Sequence, residues 1–132
     1  MATRLEIQIN ATKKRIAKTE VMIERDLKKL NKQYLYLVKK GVFELDQFSL
    51  GDENKTKRFT VKQSEKFYTA TRKAIEKIQR ENLIRPQDRD QKVWDSLFDA
   101  GAYANDFRID TNALGFEKEK LIKLENQESK VV

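Results

Sequence analysis

Apolar residues in the first third of the chain recur with the period of a helix. Ile9, Ile16, Ile23, Leu30 and Leu37 are spaced by seven, and Leu27 and Tyr34 fill the intermediate positions of the second half. At about 100° per residue these side chains fall within about 60° of one line along a helix. No Gly or Pro interrupts residues 3–40, and Gly41 stands where helix C-termini favour glycine. The pattern predicts one long amphipathic helix over residues 1–40, coiled-coil-like in its second half. In the first half the intermediate positions, Lys13 and Glu20, are charged. The seam is therefore expected to be one residue wide there, with first turns that fray. Leu5, Ile7 and Ile9 also alternate as a short strand would, which is the weaker reading. A helix of about 38 residues spans roughly 57 Å, more than the rest of the chain is expected to cover. Part of the seam is thus expected to meet a second copy or a partner protein, or to be bent back.

Residues 41–59 read as a connector. Val42, Phe43, Leu45, Phe48 and Leu50 suggest that its first part packs down, and the polar run from Gly51 to Arg58 reads as an exposed loop. Thr60 followed by Gln63 fits a capping box that opens a second helix to about Asn82. Its apolar face is Phe67, Tyr68, Thr71, Ala74, Ile75 and Ile78. Pro86 suits a first helical turn and predicts a third helix to about Ala100, burying Val93, Trp94, Leu97 and Phe98. Residues 101–115, bounded by glycines and rich in Asn and Asp, read as irregular. A last helix follows from about Phe116 to Asn126, with Leu121, Ile122 and Leu124 inward. The predicted fold is all-α: a long basic amphipathic N-terminal helix, a connector, and a compact bundle of about three helices over residues 60–132.

Composition narrows the chemistry. Four glycines and one proline leave little turn material for an all-β fold, and 39% hydrophobic residues suffice for a core. The chain has no cysteine and no histidine, which removes disulfides, thiolate chemistry, imidazole metal ligands and histidine acid–base catalysis. Its serines have no histidine to act as base, its glycines are too scattered for a phosphate loop, and no enzyme is expected. Asp95 and Asp99, like Asp106 and Asp110, are spaced to share a divalent cation, but no further oxygen-ligand motif accompanies them. No metal site or cofactor is expected. No apolar run has the length of a signal peptide or a bilayer span, so the reading is an intracellular, soluble protein, with no membrane partner.

Charge changes the picture most. The net charge is +7, with a pI near 9.5. Residues 1–40 hold eleven Lys or Arg against four Asp or Glu, whereas residues 91–132 are slightly acidic. On the wheel of the first helix, Lys14, Lys18, Arg25, Lys28, Lys29, Lys32 and Lys39 fall opposite the seam. Lys14–Lys18, Arg25–Lys29 and Lys28–Lys32 are like-charge pairs four apart, each costing an isolated helix a few tenths of a kcal/mol, roughly the converse of an opposite pair. The second helix repeats the arrangement with Lys62, Lys66, Lys73, Lys77 and Arg80. Rows of cations of this kind suit a polyanion; the plainer alternative is a solvated face that serves solubility. Trp94, Phe98, Tyr103, Phe107 and Phe116 lie in an acidic region and read as core, leaving Tyr68 as the aromatic placed for stacking on bases.

The sequence therefore points to non-enzymatic binding of a DNA or RNA backbone with little sequence readout, combined with self-association through the seam. A nucleoprotein component, a replication or transfer accessory factor, or a viral coating subunit would fit. The alternative is a protein-interaction module, an adaptor or inhibitor that docks through Ile9, Ile16, Ile23, Leu27, Leu30, Tyr34 and Leu37.

Overall fold

A computed structural model describes residues 3–45, 47–52, 56–84 and 90–131 of the chain. Among the described residues the long helices are α1 (Arg4–Lys39), α2 (Val61–Ile84) and α3 (Gln91–Val131), and no strand occurs. The all-α class with a long N-terminal helix is thus the observed one. Residues 60–131 hold two long helices rather than three short ones. The stretch 101–115, expected to be irregular, lies in the middle of α3, a helix of 41 residues.

Local chemistry sets the ends. Thr3 and Glu6 form a capping box: Glu6 N–H donates to Thr3 Oγ1 at 3.1 Å, and Thr3 N–H to a Glu6 carboxylate oxygen at 3.3 Å. This fixes a first turn that was expected to fray, and it makes Leu5, Ile7 and Ile9 helical, not a strand. Gly41 ends α1 with φ of 78°, the left-handed conformation that a Cβ disfavours. Gly41 N–H then bonds Val38 O at 3.0 Å and Val42 N–H bonds Leu37 O at 2.9 Å, a Schellman closure. The predicted box at Thr60 and Gln63 is present, with reciprocal bonds of 3.2 and 3.0 Å. Asp90 caps α3 by accepting from Lys92 and Val93 N–H. The helix expected to open at Pro86 therefore opens at Gln91, and Pro86 itself lies outside the described residues.

The chain divides into two compact units, residues 1–24 with 109–132, and residues 25–108. The second unit is a three-helix arrangement closed by the connector. Leu30, Tyr34 and Leu37 from α1, Phe67 and Ile75 from α2, and Val93, Leu97, Ala100, Ala104 and Phe107 from α3 are buried in it. Ser96 Oγ donates to Gln33 at 2.6 Å, and the Lys29 ammonium sits over the Tyr103 ring, so α1 and α3 run antiparallel here. Phe43 and Phe48 of the connector fold onto Tyr34 and Phe67, with ring centroids 5.1 to 6.2 Å apart. The Tyr34 hydroxyl donates to Glu44 O and accepts from Gln47 N–H, and burial raises its pKa above the ordinary value of 10.0. Leu45, expected to pack down with these residues, is exposed.

The first unit pairs the N-terminal half of α1 with the C-terminal half of α3. Its stripe on α1 reads Ile9, Thr12, Ile16, Thr19, Ile23, with Thr12 and Thr19 buried at the intermediate positions. The seam is therefore continuous, carried by threonines one residue before the charged Lys13 and Glu20. Thr12 Oγ1 satisfies itself on Gln8 O at 2.8 Å, and Thr19 Oγ1 donates to the Glu117 carboxylate at 3.0 Å. On α3 the inward residues are Leu114, Glu117, Leu121 and Leu124; Ile122, expected inward, is exposed.

Candidate nucleic-acid interface

Every cation of the two predicted rows is exposed: Lys14 and Lys18 in the first unit; Arg25, Lys28, Lys29, Lys32 and Lys39 on α1 in the second; and Lys62, Lys66, Lys73, Lys77 and Arg80 on α2, also in the second. Each row lies opposite its helix's buried stripe because both periodicities are set by the same 3.6-residue turn. None of these cations makes an ion pair among the described residues. Lys29 has one contact of note, its Nζ 5.6 Å from the Tyr103 ring centroid.

Folding redistributes the charge that the linear sequence displays. The basic first half of α1 is grouped with the acidic end of α3. That unit holds nine Lys or Arg against eight Asp or Glu, a net of +1. The unit of residues 25–108 holds nineteen against thirteen, a net of +6. The surplus assigned by sequence to the N-terminal third thus belongs to the second unit, where α1 and α2 each carry a row.

The seam residues behave differently. Ile9, Leu30, Tyr34 and Leu37 are buried by the chain itself, and Ile16, Ile23 and Leu27 are half-buried. Each unit covers its own part of the seam: the C-terminal half of α3 does so in residues 1–24 with 109–132, and α2, α3 and the connector do so in residues 25–108. The apolar side chains left exposed are elsewhere, including Ile109 at 51% and Phe116 at 73%, seven apart on α3. Phe98 and Phe116, expected in the core, are both exposed. Asp95, one of the paired carboxylates, accepts from the Gln91 side chain at 2.9 Å and shares a surface hollow with Lys32, Lys92 and Asp99. Among the described residues no group of three or more carboxylates is placed to hold a metal ion.

On the flank of α2 that faces α3, sequence reasoning singled out Tyr68 but not Arg72, Asn105 or Arg108. There Tyr68 lies across Gly101 of α3, whose missing Cβ leaves room: a Cβ on Gly101 would stand 3.1 Å from Thr71 Oγ1 and 3.7 Å from the Tyr68 ring. Arg72 Nε and Nη2 donate to the Tyr68 hydroxyl at 3.1 and 2.8 Å. Arg108 Nη2 donates to Asn105 Oδ1 at 2.8 Å. The available signal was the buried small residues Ser64, Thr71, Gly101 and Ala104, whose size lets two helices approach closely and leaves long side chains at the rim.

Among the described residues no helix is long and apolar enough to cross a membrane. Comparison with protein-family models, with curated proteins and with solved structures found no match to this chain.

Proposed function

We propose that the chain is a non-enzymatic nucleic-acid-binding protein that grips the phosphate backbone through the cations of residues 25–108. The observation that carries this is the +6 charge of that unit, with its exposed rows on α1 and α2 unneutralised by ion pairs among the described residues. Lysines spaced along a helix meet phosphates spaced along a strand, and the counterions released from the nucleic acid drive association. Contacts of this kind position the two molecules without reading bases, so affinity is expected to be nearly independent of sequence. With about five phosphates neutralised, log K falls against log salt with a slope of about −4 to −5.

Charge reversal tests the reading. Lys28→Glu, Lys32→Glu, Lys66→Glu and Lys73→Glu combined should lower affinity for labelled DNA or RNA by about tenfold or more at low salt, with helix content retained because all four side chains are exposed. Lys14→Glu with Lys18→Glu, in the unit of net +1, should cost less. Native affinity in the fourfold variant would remove the rows as the binding surface.

A further inference from the structure

The α2–α3 flank around Tyr68 has a feature that the phosphate-binding rows do not use. Two hollows of about 360 and 220 Å³ lie there, both bordered by Tyr68 and Asn105. The larger is bounded by Ser64, Thr69 and Arg108, with Glu65 at its edge; the smaller by Arg72, Phe98 and Gly101. Both belong to the unit of residues 25–108, the unit that carries the surplus charge.

We infer that this groove takes unpaired bases of a single nucleic-acid strand whose backbone is held by the neighbouring guanidinium and ammonium groups. This rests on the proposed nucleic-acid reading and specifies its substrate. Three features carry the inference. Tyr68 and Phe98 border the smaller hollow, and Phe98 is 42% exposed even though its neighbour Trp94 packs against it at 5.1 Å. An exposed aromatic beside a cation is the sequence-tolerant stacking platform of single-strand binders, since every base has a π-face. Each hollow also has its own arginine. Arg72 uses Nε and one Nη on the Tyr68 hydroxyl, which orients the ring and leaves the remaining N–H groups of its fork for phosphate oxygens. Finally, Asn105 borders both hollows and its Oδ1 is taken by Arg108, so the amide NH₂ is the group it has left to donate to a base edge. A duplex keeps its bases stacked inside and cannot offer them to such a groove. The groove therefore predicts a preference for single strands over duplex at equal salt.

The test is fluorescence anisotropy with oligothymidylate, a duplex of the same length, and a single strand of the same length lacking its bases. The native protein should bind oligothymidylate more tightly than the other two. Tyr68→Leu and Phe98→Leu should each lower oligothymidylate affinity at least about fivefold, while leaving duplex affinity unchanged. Tyr68→Phe, which keeps the ring, should stay near native. Because Phe98 is exposed, its variant retains the fold even where Tyr68→Leu does not. Photo-cross-linking of the native protein to a 5-iodouracil strand gives an independent readout, with adducts expected at Tyr68 or Phe98. Equal affinity for the intact and base-free strands, or adducts confined to other residues, would overturn the groove. If the fourfold lysine variant still lost all binding, the phosphate-binding rows would stand without it. No binding of any strand by the native protein would overturn both.

Discussion

The two units share the helices α1 and α3 and use them in different ways. In residues 25–108, α1 meets two helices and a folded connector, and its inward stripe is two residues wide: Asp26 and Leu27, Leu30 and Asn31, Gln33 and Tyr34, Leu37 and Val38 are all at least half-buried. In the other unit α1 meets α3 alone, and the stripe narrows to Ile9, Thr12, Ile16, Thr19 and Ile23, with polar threonines at two positions. The number of partners sets the width of the stripe, and the width sets how much apolar area is removed from water. The same division holds for charge, +6 against +1. One unit thus combines the larger core with the proposed binding surface. The other is a thin helix pair with exposed Ile7, Val21, Met22, Ile109, Phe116 and Ile122.

This contrast can be broken most forcefully at Tyr34, which is fully buried and packs against Phe43, Phe48 and Phe67. Tyr34→Ala is expected to cost about 3–5 kcal/mol, the range for deleting a large buried aromatic, and to unfold the whole unit in a thermal melt. Tyr34 also predicts an alkaline limit. Its pKa is raised in the folded chain by burial, so the neutral phenol is the form the fold favours. That contribution is complete below pH 10 and is lost as pH rises through the folded value. Denaturant titrations should show stability falling above pH 10, with a smaller fall in Tyr34→Phe.

Leu124→Ala removes one of the few fully inward leucines of the helix pair and should cost about 2 kcal/mol, the low end for a leucine, because a thin pair can collapse onto the gap. Hydrogen exchange should then accelerate over residues 9–23 while the amides of residues 30–37 stay protected. Equal acceleration in both would mean that the two units unfold as one.

A gentler comparison uses two glycines of one helix. Gly115 has nothing within 4 Å of a would-be Cβ, so Gly115→Ala should gain about 0.5–1 kcal/mol from helix propensity. Gly101→Ala gains the same propensity but drives a methyl against Thr71 Oγ1, which is held by its own 2.7 Å bond to Tyr68 O. The melting temperature should rise for Gly115→Ala and fail to rise for Gly101→Ala.

These glycines also show why part of the structure was hidden in the sequence. Gly41 and the Thr60–Gln63 box were legible because a cap is decided by a few adjacent residues. Gly101 and Gly115 look like the same kind of signal, yet Gly101 is there for close approach of α2, a demand that no local rule sees. The inward face of α3 adds to the difficulty. The rhythm 93-97-100-104-107 would continue through 118 and 125, but the inward residues are Glu117 and Leu124. A stripe that shifts by one residue blurs the 3.6-residue period over the full helix. Phe98 reads as core from its spacing with Trp94, and Phe116 from the acidic stretch around it, whereas the buried face of α3 runs through Val93, Leu97, Ala100 and Ala104 and leaves Phe98 exposed. The cation rows were legible because they need only one helix's geometry. The groove at Tyr68 needs two helices, and so Arg72, Arg108 and Asn105 carried no signal beyond their charge and polarity.

The central claim is that residues 25–108 bind a phosphate backbone through their exposed cations. The most direct measurement is the anisotropy of a labelled single strand titrated with the native protein at several salt concentrations. With about five phosphates neutralised on a single strand, log K should fall linearly with log salt at a slope of about −3.5, with little dependence on base sequence. Absence of binding at low salt, or binding that salt does not weaken, would contradict it.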